Sequence, residues 1–251
     1  MIRLFKKVRK QLLSEDKYSI YLLYAGGEVL LVVVGILFAL QIDNWNEIKQ
    51  LRNTEQQYLL ALKEEFNFNK AELERVGIRN KKNADQMLQL VNHMGPADFE
   101  ITEEELGNLL RGSLSNEIKF NPSQGVLDEI ISSGKLGMFN NPELRFALSS
   151  WSGRLHKVRL KEQELSRLRY ITIDKIRNEG NLRKALESEI EAIGITQTKF
   201  KKGNLNLLRS TSFEGHLMGT VTMSLSLNNY HFPTLDKEID TILMRIDDEL
   251  E

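Results

Sequence analysis

Four histidines, His93, His156, His216 and His231, are the side chains of this chain best suited to metal ligation or general acid–base work. No two of them share the short helical spacing that brings two imidazoles onto one metal, so their pattern points to packing and surface roles. Cysteine is absent, which removes thiolate ligands, thiol nucleophiles and disulfides together. Ser133-Gly134-Lys135-Leu136 has the outline of a phosphate-binding loop. Glu129 and Leu136 nonetheless stand where that loop needs a glycine and a hydroxyl residue, and no strand precedes it, so the stretch reads as a helix terminus followed by a solvated lysine. No nucleophile elbow marks a serine hydrolase, and the adjacent Glu64 and Glu65 lie on a charged helix where solvation accounts for them. The reading is therefore non-enzymatic, with no metal and no cofactor expected.

Glu28 is a candidate of another kind, because it is the one ionisable residue in the apolar stretch Ile20 to Ile42. That stretch is long enough to cross a bilayer as a helix. Tyr18, Tyr21 and Tyr24 gather at one end and Trp45 stands at the other, as interfacial anchors do, and Tyr24 to Trp45 covers about 32 Å at helical rise. A cleaved signal peptide fits poorly, since the apolar region is too long and no small-x-small site follows. Glu28, Val32, Gly35 and Ala39 fall on one stripe. Small residues at that spacing let a second helix approach closely, so Glu28, Gly35 and Ala39 are candidates for helix packing in the membrane or for function. The competing account has the carboxyl reaching the nearby headgroups.

Charge sets the expected orientation. Arg3, Lys6, Lys7, Arg9, Lys10 and Lys17 precede the span, whereas Lys49 and Arg52 are the basic residues close behind it. Lys and Arg resist translocation, so the amino terminus is expected in the cytoplasm and the bulk in the periplasm of a bacterial inner membrane. Residues 1–19 form a basic, amphipathic leader with a net charge of +4, which leaves −5 on the remainder. A mildly acidic exported part offers no footprint for nucleic acid.

Four prolines and long polar-apolar periodicities predict an all-α chain. The expected layout is a transmembrane helix over 20–42 that continues into a long juxtamembrane helix over 45–94, followed by a helical bundle, with 43–251 as the periplasmic domain. Trp45, Leu59, Phe66, Leu73, Met87 and Met94 share one seam register of the long helix, and Ile48, Leu62, Val76 and Leu90 the other, a pattern suited to coiled-coil or bundle packing. Polar interruptions at Arg52, Glu55, Asn69, Asn80 and Asn83 favour packing against the chain's own later helices. Gly95-Pro96 ends the helix. Thr102 with Glu105 signals a capping box, Asn141-Pro142 a capped helix start running to about Asn178, and Gly180 and Gly194 bracket a helix around 182–193. Thr196 to Gly203 reads as a polar loop, with last helices over 212–229 and 234–251. The alternation in Gly219 to Leu227 would also suit a strand; helix is preferred because no partner strand is evident.

Tyr21 to Glu47, YLLYAGGEVLLVVVGILFALQIDNWNE, and Asn121 to Arg145, NPSQGVLDEIISSGKLGMFNNPELR, resemble an uncharacterised family of single-span proteins from Gram-negative bacteria, a domain of unknown function numbered 6090. The second segment looks like that family's recurrent turn-helix-turn signature, carried here by Asn121, Pro122, Gly125, Glu129, Ser133, Gly134 and Leu136. The resemblance implies a membrane anchor and a helical exported region, and no catalytic residue. The expected partners are the bilayer and either a second copy or another membrane protein. The expected role is a scaffold or accessory module; the rivals are a ligand sensor acting through a membrane partner, and an envelope hydrolase with a site built from distant residues.

Overall fold

The computed structural model describes residues 18–96, 100–187, 190 and 193–250, with side chains from residue 22 onward. The basic leader expected over residues 1–19 thus lies almost wholly outside the described residues. Every regular element among those described is helical. They are α1 (Tyr18–Asn92), α2 (Glu103–Leu114), α3 (Gly125–Ser132), α4 (Pro142–Glu179), the single turn α5 (Leu182–Ala185), α6 (Thr211–Ser226) and α7 (Phe232–Leu250). The chain divides into two compact units, residues 1–57 and 58–251, and α1 runs through both.

Capping residues fix the helix starts where the sequence placed them. The Thr102 hydroxyl accepts the Glu105 N–H at 3.2 Å while the Glu105 carboxylate accepts the Thr102 N–H at 2.8 Å, closing both halves of the box that opens α2. Asn141 Oδ1 accepts the Glu143 and Leu144 amides, and Pro142 fills a first-turn position where no N–H is needed. At its other end α2 stops beneath Arg169, whose Nε donates to the Leu114 carbonyl at 2.5 Å.

In the second unit three long helical runs lie side by side. Lys63 pairs with Asp247 at 2.7 Å and Lys70 with Asp240, so α7 runs antiparallel to α1. Arg245 pairs with Glu143 and Arg154 with Glu238, so α7 is also antiparallel to α4. The chain passes from α1 to α4 through α2 and α3, and α6 packs on α4. Two apolar clusters result. One gathers Phe66, Phe120, Phe139, Trp151 and Ile239, with Phe66 and Trp151 edge to face at 5.1 Å; the other gathers Met87, Leu106, Leu110, Leu207 and Phe213.

Asn80, Asn83, Ser113, Thr172, Thr220 and Ser224 are also buried in this unit, in neither cluster. Asn80 Nδ2 donates to the Ser224 carbonyl at 2.9 Å and to Asn228 Oδ1 at 2.8 Å, and Asn228 Nδ2 donates to the Gly77 carbonyl at 3.1 Å. Each such bond fits only one sliding position of α1 against the later helices, which is how buried amides specify register. The polar interruptions at Asn69, Asn80 and Asn83 are therefore contacts to later segments of the chain.

Three expectations need correction. The seam begins later than its periodicity implied, since Leu59, Leu62 and Phe66 are buried but Trp45 and Ile48 are exposed. Glu65 is not a solvated carboxylate; it is 6 % exposed, whereas Glu64 faces water. The helix preferred over Gly219 to Leu227 is present. Finally, no gap separates the last two helices. A π-helical turn, Leu227–His231, joins α6 to α7, with the Phe232 N–H bonded to the Leu227 carbonyl five residues back. Pro233 accounts for the widened turn, because its ring carries no N–H and would collide with the carbonyl four residues earlier in a regular helix.

Candidate functional site

From Leu22 to Ile42 the apolar side chains of α1 are exposed: Leu31 is 74 % and Phe38 67 % accessible. Its most apolar 18-residue window has a mean hydropathy of 2.3, and none of that window is buried. Among the described residues this is the one helix long and apolar enough to cross a membrane. Burying a single large apolar side chain is worth roughly 1.5–3 kcal/mol. A stretch of this length therefore needs cover from lipid or from other chains.

Glu28, Gly35 and Ala39 all lie on this exposed helix. A Cβ on Gly35 would meet nothing within 4 Å, so packing within the chain does not explain the glycine. Tyr24 and Trp45 are exposed, and the Lys49 ammonium sits 5.8 Å from the Trp45 ring. Tyr21 is on the helix, with its side chain outside the described set.

The turn motif occupies the second unit, against the part of α1 that begins at Tyr58. Asn69 clamps Ser123 from both sides: its Nδ2 donates to the Ser123 carbonyl at 2.8 Å, and its Oδ1 accepts the Ser123 N–H at 2.7 Å. Gln124, at the N-cap of α3, makes no side-chain cap bond. Glu65 supplies it from α1, accepting the Val126 and Leu127 amides at 3.1 Å each and the Ser123 hydroxyl at 3.0 Å. A carboxylate there satisfies orphan donors and meets the positive end of the short helix.

Leu127 and Ile130 of α3 then enter the core, and Gly134 ends the motif's helix at φ +70°, a conformation that favours glycine. Leu136 packs, half-buried, on the same core. Asn121, Gly125 and Ser133 are exposed, and Pro122 is half-buried.

Glu129 and Lys135 meet at Tyr58. The Tyr58 hydroxyl donates to Glu129 Oε1 at 2.5 Å, and Lys135 Nζ donates to the same hydroxyl at 2.7 Å while lying 4.9 Å from the ring centre. The bond to Tyr58 holds the Lys135 ammonium above its ordinary pKa. Lys135 is thus exposed but engaged, a correction to its reading as a merely solvated residue. The irregular segment leading into the motif is held by Glu162, a buried carboxylate that accepts the Phe120 N–H at 2.7 Å. Burial pushes its pKa up to about 7, against the opposing pull of the Phe120 bond, Arg159 and Lys119. Tyr58, Glu65, Asn69 and Glu162 carried no motif in the sequence, although Glu65 and Asn69 lie three and seven residues after the buried Leu62 and share its face.

Among the described residues no three His, Asp or Glu side chains converge as metal ligands. Glu65 and Asn69 spend their polar atoms on the backbone and hydroxyl of the motif, which makes this arrangement a dock for α3.

The fold and these sites define a class: a protein all-helical among its described residues, with an exposed apolar helix and a polar dock that seats a turn-helix-turn. The chain belongs to a family of unknown function (DUF6090), whose model matches residues 28–178, from Glu28 to the end of α4. No curated protein and no solved structure matches it.

Proposed function

We propose that the chain is a single-pass protein of the bacterial inner membrane, with its amino terminus in the cytoplasm and its helical domain in the periplasm, acting as a non-enzymatic scaffold or accessory interaction module. The observation that carries this reading is the fully exposed apolar length of α1, flanked by Tyr24 and Trp45. Six basic residues before that length support the orientation by the positive-inside rule. The turn motif supports the non-enzymatic role, since its carboxylates and amides hold secondary structure.

Reporter fusions at each terminus test the topology: the carboxy-terminal fusion is expected to behave as periplasmic, and a cytosolic result overturns the orientation. Crosslinking in intact cells tests the role. Recovery of a defined oligomer or a discrete membrane partner is expected, and recovery of an isolated monomer overturns it.

A further inference from the structure

A cleft of about 120 Å³ opens between α4 and the π turn, lined by Arg154, Lys157 and Val158 on one side and His231, Thr234, Leu235 and Glu238 on the other. It is too small for a whole organic cofactor, which takes roughly 300 Å³ or more. Its charges are unbalanced. Lys157 is exposed, and among the described residues no carboxylate pairs with it. Arg154 gives Nη1 to Glu238 and Nε to the Ser150 hydroxyl at 3.3 Å, which leaves Nη2 out of both contacts. Lys161 follows one turn after Lys157 and is close enough to act on His231. Arg154 and Lys157 of α4 thus line the cleft against one carboxylate, Glu238 of α7, while Lys161 beside it acts on both His231 and Glu164.

The π turn is what brings His231 here. Such turns are costly relative to a regular helix and recur at functional sites. Burial, and then Lys161, hold the His231 imidazole below its usual pKa, so near neutrality it stands among these cations uncharged. We propose that this cleft binds a small oxyanion of phosphate size, held by Lys157, the free edge of Arg154 and the His231 imidazole. An arriving anion offsets the local positive charge and favours a protonated His231, so anion binding and protonation of His231 reinforce each other. Glu238 opposes the anion and competes for Arg154. The proposal is independent of the membrane topology and of the scaffold role.

The test uses the full chain in nanodiscs of zwitterionic lipid, with ¹⁵N-labelled histidine and the four imidazoles distinguished by the loss of one signal in His231→Asn. Titration with inorganic phosphate at matched ionic strength is expected to move the His231 signals saturably and to raise its apparent pKa by roughly half a unit or more. Lys157→Gln is expected to weaken the response about fivefold and Glu238→Gln to tighten it by a similar factor, opposite signs that a merely structural role does not produce. Circular dichroism confirms that both variants fold. A second arm replaces free phosphate with nanodiscs containing phosphatidylglycerol. A Lys157-dependent shift in the first arm assigns a soluble oxyanion, and one confined to the second assigns a lipid headgroup. No saturable shift in either arm, or identical titrations for the wild type and both variants, overturns the site.

Discussion

The Glu65 carboxylate accepts the backbone N–H of Leu127 across 3.1 Å, joining the long helix α1 to the first turn of α3 over 62 residues of sequence. The same carboxylate holds Val126 and Ser123, so one side chain of α1 organises the whole entry to the family's turn motif.

Removing that group strands several donors at a largely buried site. Glu65→Ala is expected to lower the unfolding free energy by about 2–3 kcal/mol, and Glu65→Gln by less, because one acceptor oxygen remains. Chemical denaturation of the full chain in detergent measures both. An unaltered midpoint for the alanine variant would return Glu65 to the status of a solvated carboxylate.

Glu162 makes stability depend on pH. Its folded pKa, about 7, lies above the ordinary carboxyl value of 4.5, so the protonated form favours the fold. That contribution is complete below pH 4.5 and is lost as pH rises through about 7, a change on the order of 3 kcal/mol. Glu162→Gln keeps an oxygen for the Phe120 amide and removes the charge. The variant is expected to match the wild type near pH 4 and exceed it in melting temperature at pH 8. A difference that does not vary with pH would show that the carboxylate is not desolvated.

Phe66 and Trp151 meet edge to face with both rings fully buried. Each alanine substitution is expected to cost about 3–5 kcal/mol. A double-mutant cycle built from gentler Leu replacements should return a coupling of about 1 kcal/mol beyond the separate effects. Strict additivity would mean that the ring geometry contributes nothing of its own.

Glu28→Gln isolates the charge on the apolar helix. Membrane insertion is expected to be retained while self-association changes, read by crosslinking yield in native membranes. Unchanged association would favour a carboxyl that simply extends to the headgroups.

Local signals were legible in the sequence and distant ones were not. Thr102 with Glu105 and Asn141 with Pro142 announce their helices because cap and capped amide lie within three residues. The apolar face of α7, with Leu235, Ile239, Ile242, Leu243 and Ile246, was equally plain; Leu243 is half-buried and the other four are buried. Glu65 escaped notice because its partners lie about sixty residues away, and a glutamate beside Glu64 looks no different when it is docked. The π turn left only the trace of Pro233, which reads as readily as a helix start. His231 belongs to the same difficulty, since its neighbours Arg154 and Lys157 sit on another helix some 75 positions earlier.

Lys63 and Lys70 find Asp247 and Asp240 only after 184 and 170 further positions of sequence. Native closure therefore waits until α7 has been made, and contacts separated by so much intervening polypeptide form slowly. Until then the greasy seam from Leu59 to Leu90 stands open to unwanted association. A nascent chain of this design has reason to be chaperoned, and a truncation that removes α7 is expected to yield aggregates in place of a smaller stable domain.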